Sequence, residues 1–268
     1  MDSILKQGKL LFALSIAVFG ILNIVCARTT GPFLPVIPWV SSYPWLAYLT
    51  GTALLAAGVC IAANFRVRLT STLLGCLFLL CDLLLQIRNV AASPLDVGVR
   101  TGAFETLAMC SICLILASSL SGEAKSFSRG HRAINGLLLS GRYLFALSAI
   151  VFGIDHYLVF GLIVSLVPAY IPGTGWFWAN LTAIAFIAAG LSIAVRWLDR
   201  WAATLFGLMF LLWFLVLHAP RVMSYPRSHD PDEWSSAFIA LAMCGGSWIL
   251  ASSISTPPNP VPNNKKSE

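Results

Sequence analysis

The sequence predicts an all-α membrane protein with eight transmembrane helices, arranged as two parallel four-helix bundle repeats. The first observation behind this prediction is composition: 58% of the 268 residues are hydrophobic and only 10% are charged. A soluble domain carries roughly 25% charged residues, and this chain has a mean hydropathy of +0.82. The second observation is that apolar stretches of about 20 residues, the length that crosses a bilayer, recur along the chain. The third is that the second half of the chain repeats the first.

The repeat is clearest at the start of each half. Residues 8–21 read GKLLFALSIAVFGI and residues 141–154 read GRYLFALSAIVFGI, which agree at ten of fourteen positions. Residues 103–119, AFETLAMCSICLILASS, return as AFIALAMCGGSWILASS at 237–253. The offset stays between 132 and 134 residues. So long a period indicates that a whole bundle was duplicated, and it is unlike the short period of a solenoid.

The apolar stretches predict four helices in each half, and they set the domain boundaries. The predicted domains are residues 1–127 and 128–255, joined through a polar linker at 121–135. Residues 256–268 contain too few apolar side chains to pack, so they are predicted to form a disordered cytoplasmic tail. The predicted helices cover approximately residues 8–27, 45–64, 69–88, 101–120, 141–162, 175–195, 202–220 and 235–254.

The distribution of Lys and Arg predicts the orientation. Most of these residues fall at the N-terminus, in the second and sixth connections, in the central linker and in the tail. The positive-inside tendency therefore predicts cytoplasmic termini in a bacterial inner membrane. Each half has an even number of spans, so the halves share one orientation about an axis along the membrane normal. The net charge of +6 is spread between apolar blocks, which favours a lipid bilayer over nucleic acid as the partner.

Ionisable side chains in the apolar segments of the second half predict a polar site near the outer face. Such groups cost several kcal/mol in a membrane unless they are paired or hydrated, so each one suggests a function. They fall at the outer ends of the fifth, seventh and eighth predicted helices. The candidate catalytic residues are Asp155, His156 and His218, and the candidate substrate-binding residues are Arg221, Glu233 and Trp234.

Two interpretations of this cluster stay open. The groups can pair as a clasp that ties three helices together, or they can form a site for a quinone headgroup or proton-coupled electron transfer. A metal is not expected, because histidines on separate helices lack a close third ligand. The first half has a different polar set in its apolar segments, and we expect its members to pair with one another. That set comprises Asp82, Arg88, Arg100 and Glu105.

Cys110 and Cys113 form a CxxC motif on the fourth predicted helix. No basic side chain nearby would activate either thiol, and the second half retains only Cys244. The motif is therefore interpreted as packing. The chain also has no phosphate-binding glycine loop, serine nucleophile elbow or HExxH motif, which argues against the commonest hydrolases and nucleotide-dependent enzymes.

Four stretches of the second half, FGIDHYLVFG, VPAYIPG, LHAPRV and EWSSAFIALAMCGGSWILA, resemble the DoxX-like family of bacterial integral membrane proteins. The resemblance covers residues 141–254, and residues 8–120 share it through the repeat. It implies a four-helix unit, and some relatives are subunits of thiosulfate:quinone oxidoreductase or of membrane oxidoreductase assemblies. It therefore implies a quinone as the ligand and a soluble or membrane oxidoreductase subunit as partner. The residues that match the family motif are His218, Pro220, Arg221, Glu233 and Trp234.

The resemblance leaves open whether the protein catalyses a reaction. A redox subunit that handles a quinone or thiol-derived electrons is the first hypothesis. A non-catalytic membrane scaffold for a partner oxidoreductase is the alternative, and a small-molecule transporter is a third hypothesis suggested by the duplicated bundles.

Overall fold

A computed structural model describes residues 2–26, 44–120, 129–224 and 231–254. This part of the chain is helical and contains no strand. The first half contains α1 (Asp2–Val25), α2 (Pro44–Ala62), α3 (Val67–Cys81), a π-helical turn (Asp82–Gln86), α4 (Ile87–Ala92) and α5 (Val97–Ser119). The second half contains α6 (Arg129–Leu158), α7 (Phe160–Leu166), α8 (Gly175–Val195), α9 (Asp199–Trp213), a π-helical turn (Phe214–His218), α10 (Ala219–Ser224) and α11 (Pro231–Ser253).

The helices of the described segments have the length and composition of a multi-pass membrane protein. Seven are long and apolar enough to cross a bilayer, or eight if α6 and α7 form one span with a 92° bend between them. Each predicted apolar stretch coincides with one of these spans. Large apolar side chains such as Leu73, Trp197 and Trp201 are exposed on the outside, as is expected of a surface that faces lipid.

Two boundaries need comment. α6 begins at Arg129, inside the segment predicted to be a linker and well before residue 141. A helix that extends beyond the apolar stretch satisfies its backbone hydrogen bonds internally, whichever solvent surrounds it. The predicted disordered tail, 256–268, lies outside the described residues.

The duplication extends to details of the backbone. The turn before α3 has Asn64 and Arg66 at positive φ, 58° and 44°, and the turn before α9 has Arg196 and Leu198 at 62° and 51°. These positions correspond at an offset of 132 residues. The π-helical turns that follow α3 and α9 correspond at the same offset. Each interrupts the regular helical hydrogen bonding, and such interruptions are frequent at functional sites.

The packing joins the two halves reciprocally. α1 packs against α2 of its own half and against α11, the last helix of the other half. α6 does the same with α8 and α5. Because α5 and α11 also contact each other, the helices form two rings, α1–α2–α3–α5–α11 and α6–α8–α9–α11–α5. Each four-helix half is thus completed by a helix that it shares with its neighbour, an arrangement that the sequence did not indicate.

Small residues allow the helices to approach closely at equivalent positions in both halves. A Cβ atom added to Gly58 on α2 would lie 2.7 Å from the Ala13 carbonyl oxygen on α1. A Cβ atom at Gly190 on α8 would lie 2.7 Å from the Ala146 carbonyl oxygen on α6. Van der Waals contact between backbones replaces the hydrophobic driving force that is missing in lipid.

Candidate functional site

A cavity of about 280 Å³ lies inside the ring formed by α5, α6, α8, α9 and α11, with α7 beside it. Most of its wall is apolar and includes Phe152, Phe186, Phe210 and Trp213. A minority of polar side chains faces the same space, which is the arrangement typical of small-molecule sites. The polar lining residues are Thr101, Glu105, Asp155, His156, Thr182, His218 and Ser236.

Asp155 links the two halves of the protein. Its side chain is only 5% exposed and forms an ion pair with Arg100 of α5. The Arg100 Nε donates to Asp155 Oδ1 at 2.8 Å, and the Thr101 hydroxyl donates to Oδ2 at 3.0 Å. Both carboxylate oxygens therefore have partners from the first half. The expectation that Arg100 pairs within the first half is wrong, because α5 packs against α6 and not within a closed bundle of its own.

His156 lines the cavity with a defined tautomer. Its Nδ1 atom lies 2.7 Å from the Phe152 carbonyl oxygen, one turn earlier on α6. A carbonyl can only accept, so Nδ1 carries the hydrogen, and in the neutral imidazole Nε2 keeps a lone pair. The ring packs against Phe186, with centroids 4.9 Å apart. His156 is thus oriented as a hydrogen-bond or proton acceptor.

His218 is the last residue of the second π-helical turn. Its Nδ1 atom is buried and has no hydrogen-bond partner among the described residues. The loop after α7 holds this turn, because the Tyr170 hydroxyl donates to the Val216 carbonyl oxygen. The imidazole lines the cavity, and its Nδ1 atom is unpaired in the described part of the chain.

Glu105 on α5 is the site residue that sequence reasoning missed. It was expected to pair inside the first half, but it lines the cavity next to side chains of the second half. Within the described segments it forms no ion pair and no hydrogen bond. A signal was available: Glu105 is a carboxylate in an apolar helix with no cation three or four positions away.

The remaining predicted binding residues lie elsewhere. Arg221 of α10 forms an ion pair with Glu233 of α11, which ties these helices together. Trp234 stacks on Phe238 with their rings at an interplanar angle of 5°. None of the three lines the cavity. The structure thus divides the predicted cluster into a clasp and a set of cavity residues, the latter being Asp155, His156 and His218.

We expect Glu233→Gln to lower the free energy of unfolding by less than about 1 kcal/mol. The pair is partly exposed, with side-chain exposures of 36% for Arg221 and 24% for Glu233. Screening and side-chain entropy offset most of the attraction in such pairs. Unfolding of the purified protein by a denaturing detergent, compared with the wild type, measures the effect. A loss of several kcal/mol would mean that this clasp is a principal support of the fold.

The cysteine motif lies in a different environment. Cys110 and Cys113 are buried and free. The Cys110 thiol donates to the Gly75 carbonyl oxygen on α3, at 3.3 Å. This contact joins α3 to α5. In the described segments, no three His, Cys, Asp or Glu side chains lie close enough together to hold a metal ion.

The fold and the cavity define an all-helical, multi-pass membrane protein with a largely apolar cavity that contains a few polar side chains. No protein-family model, curated protein or solved structure matches the chain. The resemblance to the DoxX-like family therefore stays a prediction from the motifs.

Proposed function

We propose that this protein binds a quinone-type ligand in the cavity and acts as the membrane subunit of a redox assembly. One observation carries the proposal: three titratable side chains, each with a donor or acceptor atom that is unpaired among the described residues, line a single, mostly apolar space. They are Glu105, His156 and His218. A buried polar group without a partner costs free energy, and a ligand that hydrogen-bonds to it would recover that cost.

The chemistry of a quinone suits these groups. A quinone ring is apolar on its faces, and the Phe186 and Phe210 rings offer matching surfaces. Its carbonyl oxygens accept hydrogen bonds, which the imidazole of His218 can donate. Reduction takes up protons together with electrons, and the reverse reaction releases protons. His156 Nε2 can accept such a proton, and Glu105 can exchange one. The partner oxidoreductase subunit would exchange the electrons.

We also propose that the protein is DoxX-like and lies in a bacterial inner membrane, with parallel repeats and cytoplasmic termini. Helix contacts support a shared orientation of the two halves. α5 and α6 run in opposite directions, because Gly141 lies by Ser111 while Asp155 lies by Arg100. When successive spans alternate in direction in this way, α1 and α6, the first spans of the two halves, point in the same direction. Most Lys and Arg residues then fall on one side.

Quinone binding can be measured directly with the protein in lipid vesicles. Trp213 lines the cavity, so a short-chain quinone should quench part of the tryptophan fluorescence. We expect His218→Ala and Glu105→Ala each to weaken binding about fivefold, since a hydrogen bond contributes about 1 kcal/mol. Ala240→Phe should abolish binding, because Ala240 is a buried residue of the cavity wall.

Two matched controls separate cavity effects from general damage. Ala188→Phe adds the same bulk to an exposed position on α8, and Glu233→Gln removes a carboxylate outside the cavity. Both should bind the quinone as the wild type does. If Ala240→Phe also bound it normally, the cavity would not be the site. If neither the wild type nor any variant bound the quinone, and a soluble oxidoreductase co-purified with the protein, the scaffold function would replace this proposal.

Transport of a small molecule is a second candidate, favoured by one observation. The span of α6 and α7 breaks near Val159, beside the cavity, with a 92° bend. Broken helices at a binding site are typical of transporters, because the freed backbone groups face a cavity and not lipid. Uptake of a labelled substrate by vesicles that contain the wild type, but not by vesicles with Ala240→Phe, would favour transport over redox chemistry.

A further inference from the structure

Asp82 is a buried carboxylate that the cavity does not explain. It opens the π-helical turn after α3, inside a span that runs from Val67 to Ala92. The residue is 7% exposed. Both carboxylate oxygens are buried, and neither has a hydrogen-bond partner among the described residues. The sequence predicted that Asp82 pairs within the first half, and this expectation is wrong.

Within the described segments, no neighbouring charge balances an ionised Asp82. The π-helical turn contacts α3, α4 and α5. Arg88 on α4 is exposed and forms no ion pair with a described residue, while Arg100 on α5 is paired with Asp155. Among the described residues, the titratable groups that interact electrostatically with Asp82 are the thiols of Cys81 and Cys110. Neither thiol can neutralise a carboxylate.

An ionised carboxylate costs far more free energy in this buried, unpaired position than a neutral carboxylic acid does. Transfer of an isolated charge from water to an apolar medium costs so much that the group changes its protonation state instead. Asp82 lies about 22 Å from the start of its span and about 15 Å from its end, at 1.5 Å per residue. We infer that Asp82 is a proton-binding site inside the membrane-spanning part of the first half, neutral in the resting protein.

The repeat gives this site a counterpart. The second π-helical turn ends at His218, whose Nδ1 is likewise buried and without a partner in the described chain. Each half therefore carries an unpaired titratable side chain in its π-helical turn, and the two turns occupy equivalent positions in the repeat. The chain has kept the interruption while the residue type and its position within the turn have diverged. This inference does not depend on the ligand in the cavity.

An apolar carbodiimide tests the protonation state. Dicyclohexylcarbodiimide adds to a protonated carboxyl group: the acid proton moves to a carbodiimide nitrogen, and the carboxyl oxygen bonds to the central carbon. Migration of the acyl group to nitrogen then leaves a stable N-acylurea, with no leaving group. We expect mass spectrometry of the vesicle-embedded protein at neutral pH to find Asp82 labelled at least about tenfold faster than Asp96, because the reagent requires the protonated acid, which burial without a partner favours.

Asp96 is the matched control because it is an exposed carboxylate that caps the N-terminus of α5. Labelling of Asp82 no faster than Asp96, or protection of Asp82 by Na⁺, would overturn the inference. A second readout is the infrared carbonyl band of a neutral carboxylic acid. This band should weaken in Asp82→Asn and stay unchanged in Asp96→Asn. An unchanged band in Asp82→Asn would also overturn it.

Stability supplies a readout that does not require chemical labelling. Asparagine has nearly the shape of a neutral aspartic acid and carries no charge. We therefore expect Asp82→Asn to unfold at the same denaturant concentration as the wild type. A marked loss of stability would show that Asp82 is ionised and balanced by a partner, contrary to the inference.

Discussion

Asp155→Ala is expected to lower the free energy of unfolding by about 3 kcal/mol, at the low end of the cost of breaking a buried ion pair. The change removes the acceptor of Arg100 and Thr101 and leaves the guanidinium without a counter-charge. Arg100 is 21% exposed, so water or lipid headgroups can relieve part of the penalty. Detergent-induced unfolding of the purified protein measures the loss.

The matched control is the double variant Arg100→Met with Asp155→Leu. It removes both charges and fills the space with apolar side chains, so it should recover most of the stability. Thr101 would lose its acceptor on Asp155, a smaller cost of about 1 kcal/mol. If the double variant were as unstable as Asp155→Ala, the loss would come from packing and not from an unpaired charge. A wild-type stability in Asp155→Ala would mean that the ion pair does not hold the halves together.

Gly245→Leu should lower the free energy of unfolding by about 3 kcal/mol, the upper end of the usual cost of overpacking, because the obstacle is backbone. A Cβ atom at Gly245 on α11 would lie 2.5 Å from the Gly8 carbonyl oxygen and 2.7 Å from the Phe12 nitrogen, both on α1. The side chain would therefore force the first and last spans apart. Since α1 and α11 belong to different halves, this variant tests the reciprocal packing directly.

Gly102→Leu on α5 is the control for Gly245→Leu. Nothing lies within 4 Å of a Cβ atom at Gly102, although it too is a glycine in a long helix. Leucine favours helix over glycine, so this variant should be as stable as the wild type or slightly more so. Equal losses in the two variants would mean that α1 and α11 are not in close contact.

The spans were predictable because their cause is local. A bilayer requires a continuous apolar stretch of known length, so hydropathy alone finds each segment. The breaks and the ends of the helices were harder to predict from the sequence. The early start of α6 at Arg129 and the bend near Val159 depend on which backbone groups find partners, and hydropathy does not report that.

The candidate site was predictable in part. Asp155, His156 and His218 stood out because ionisable groups are rare in apolar segments, and all three line the cavity. Glu105 met the same criterion, but it was assigned to the wrong set because the two halves were treated as separate bundles. Arg221 and Glu233 could not be separated from the cavity residues by sequence, because similar height along a helix does not reveal which face a side chain occupies.

The sequence by itself determined the all-helical character, the positions of the spans and the internal duplication, because these depend on composition and periodicity along the chain. Only the tertiary structure decided that α5 and α11 each pack against both halves, that Asp155 is held by Arg100, and that Glu105, His156 and His218 line one cavity. The physical reason is that lipid makes every apolar helix face nearly equivalent. The choice of neighbour then depends on close backbone approach and on a few buried polar pairs, which become visible only once the helices are assembled.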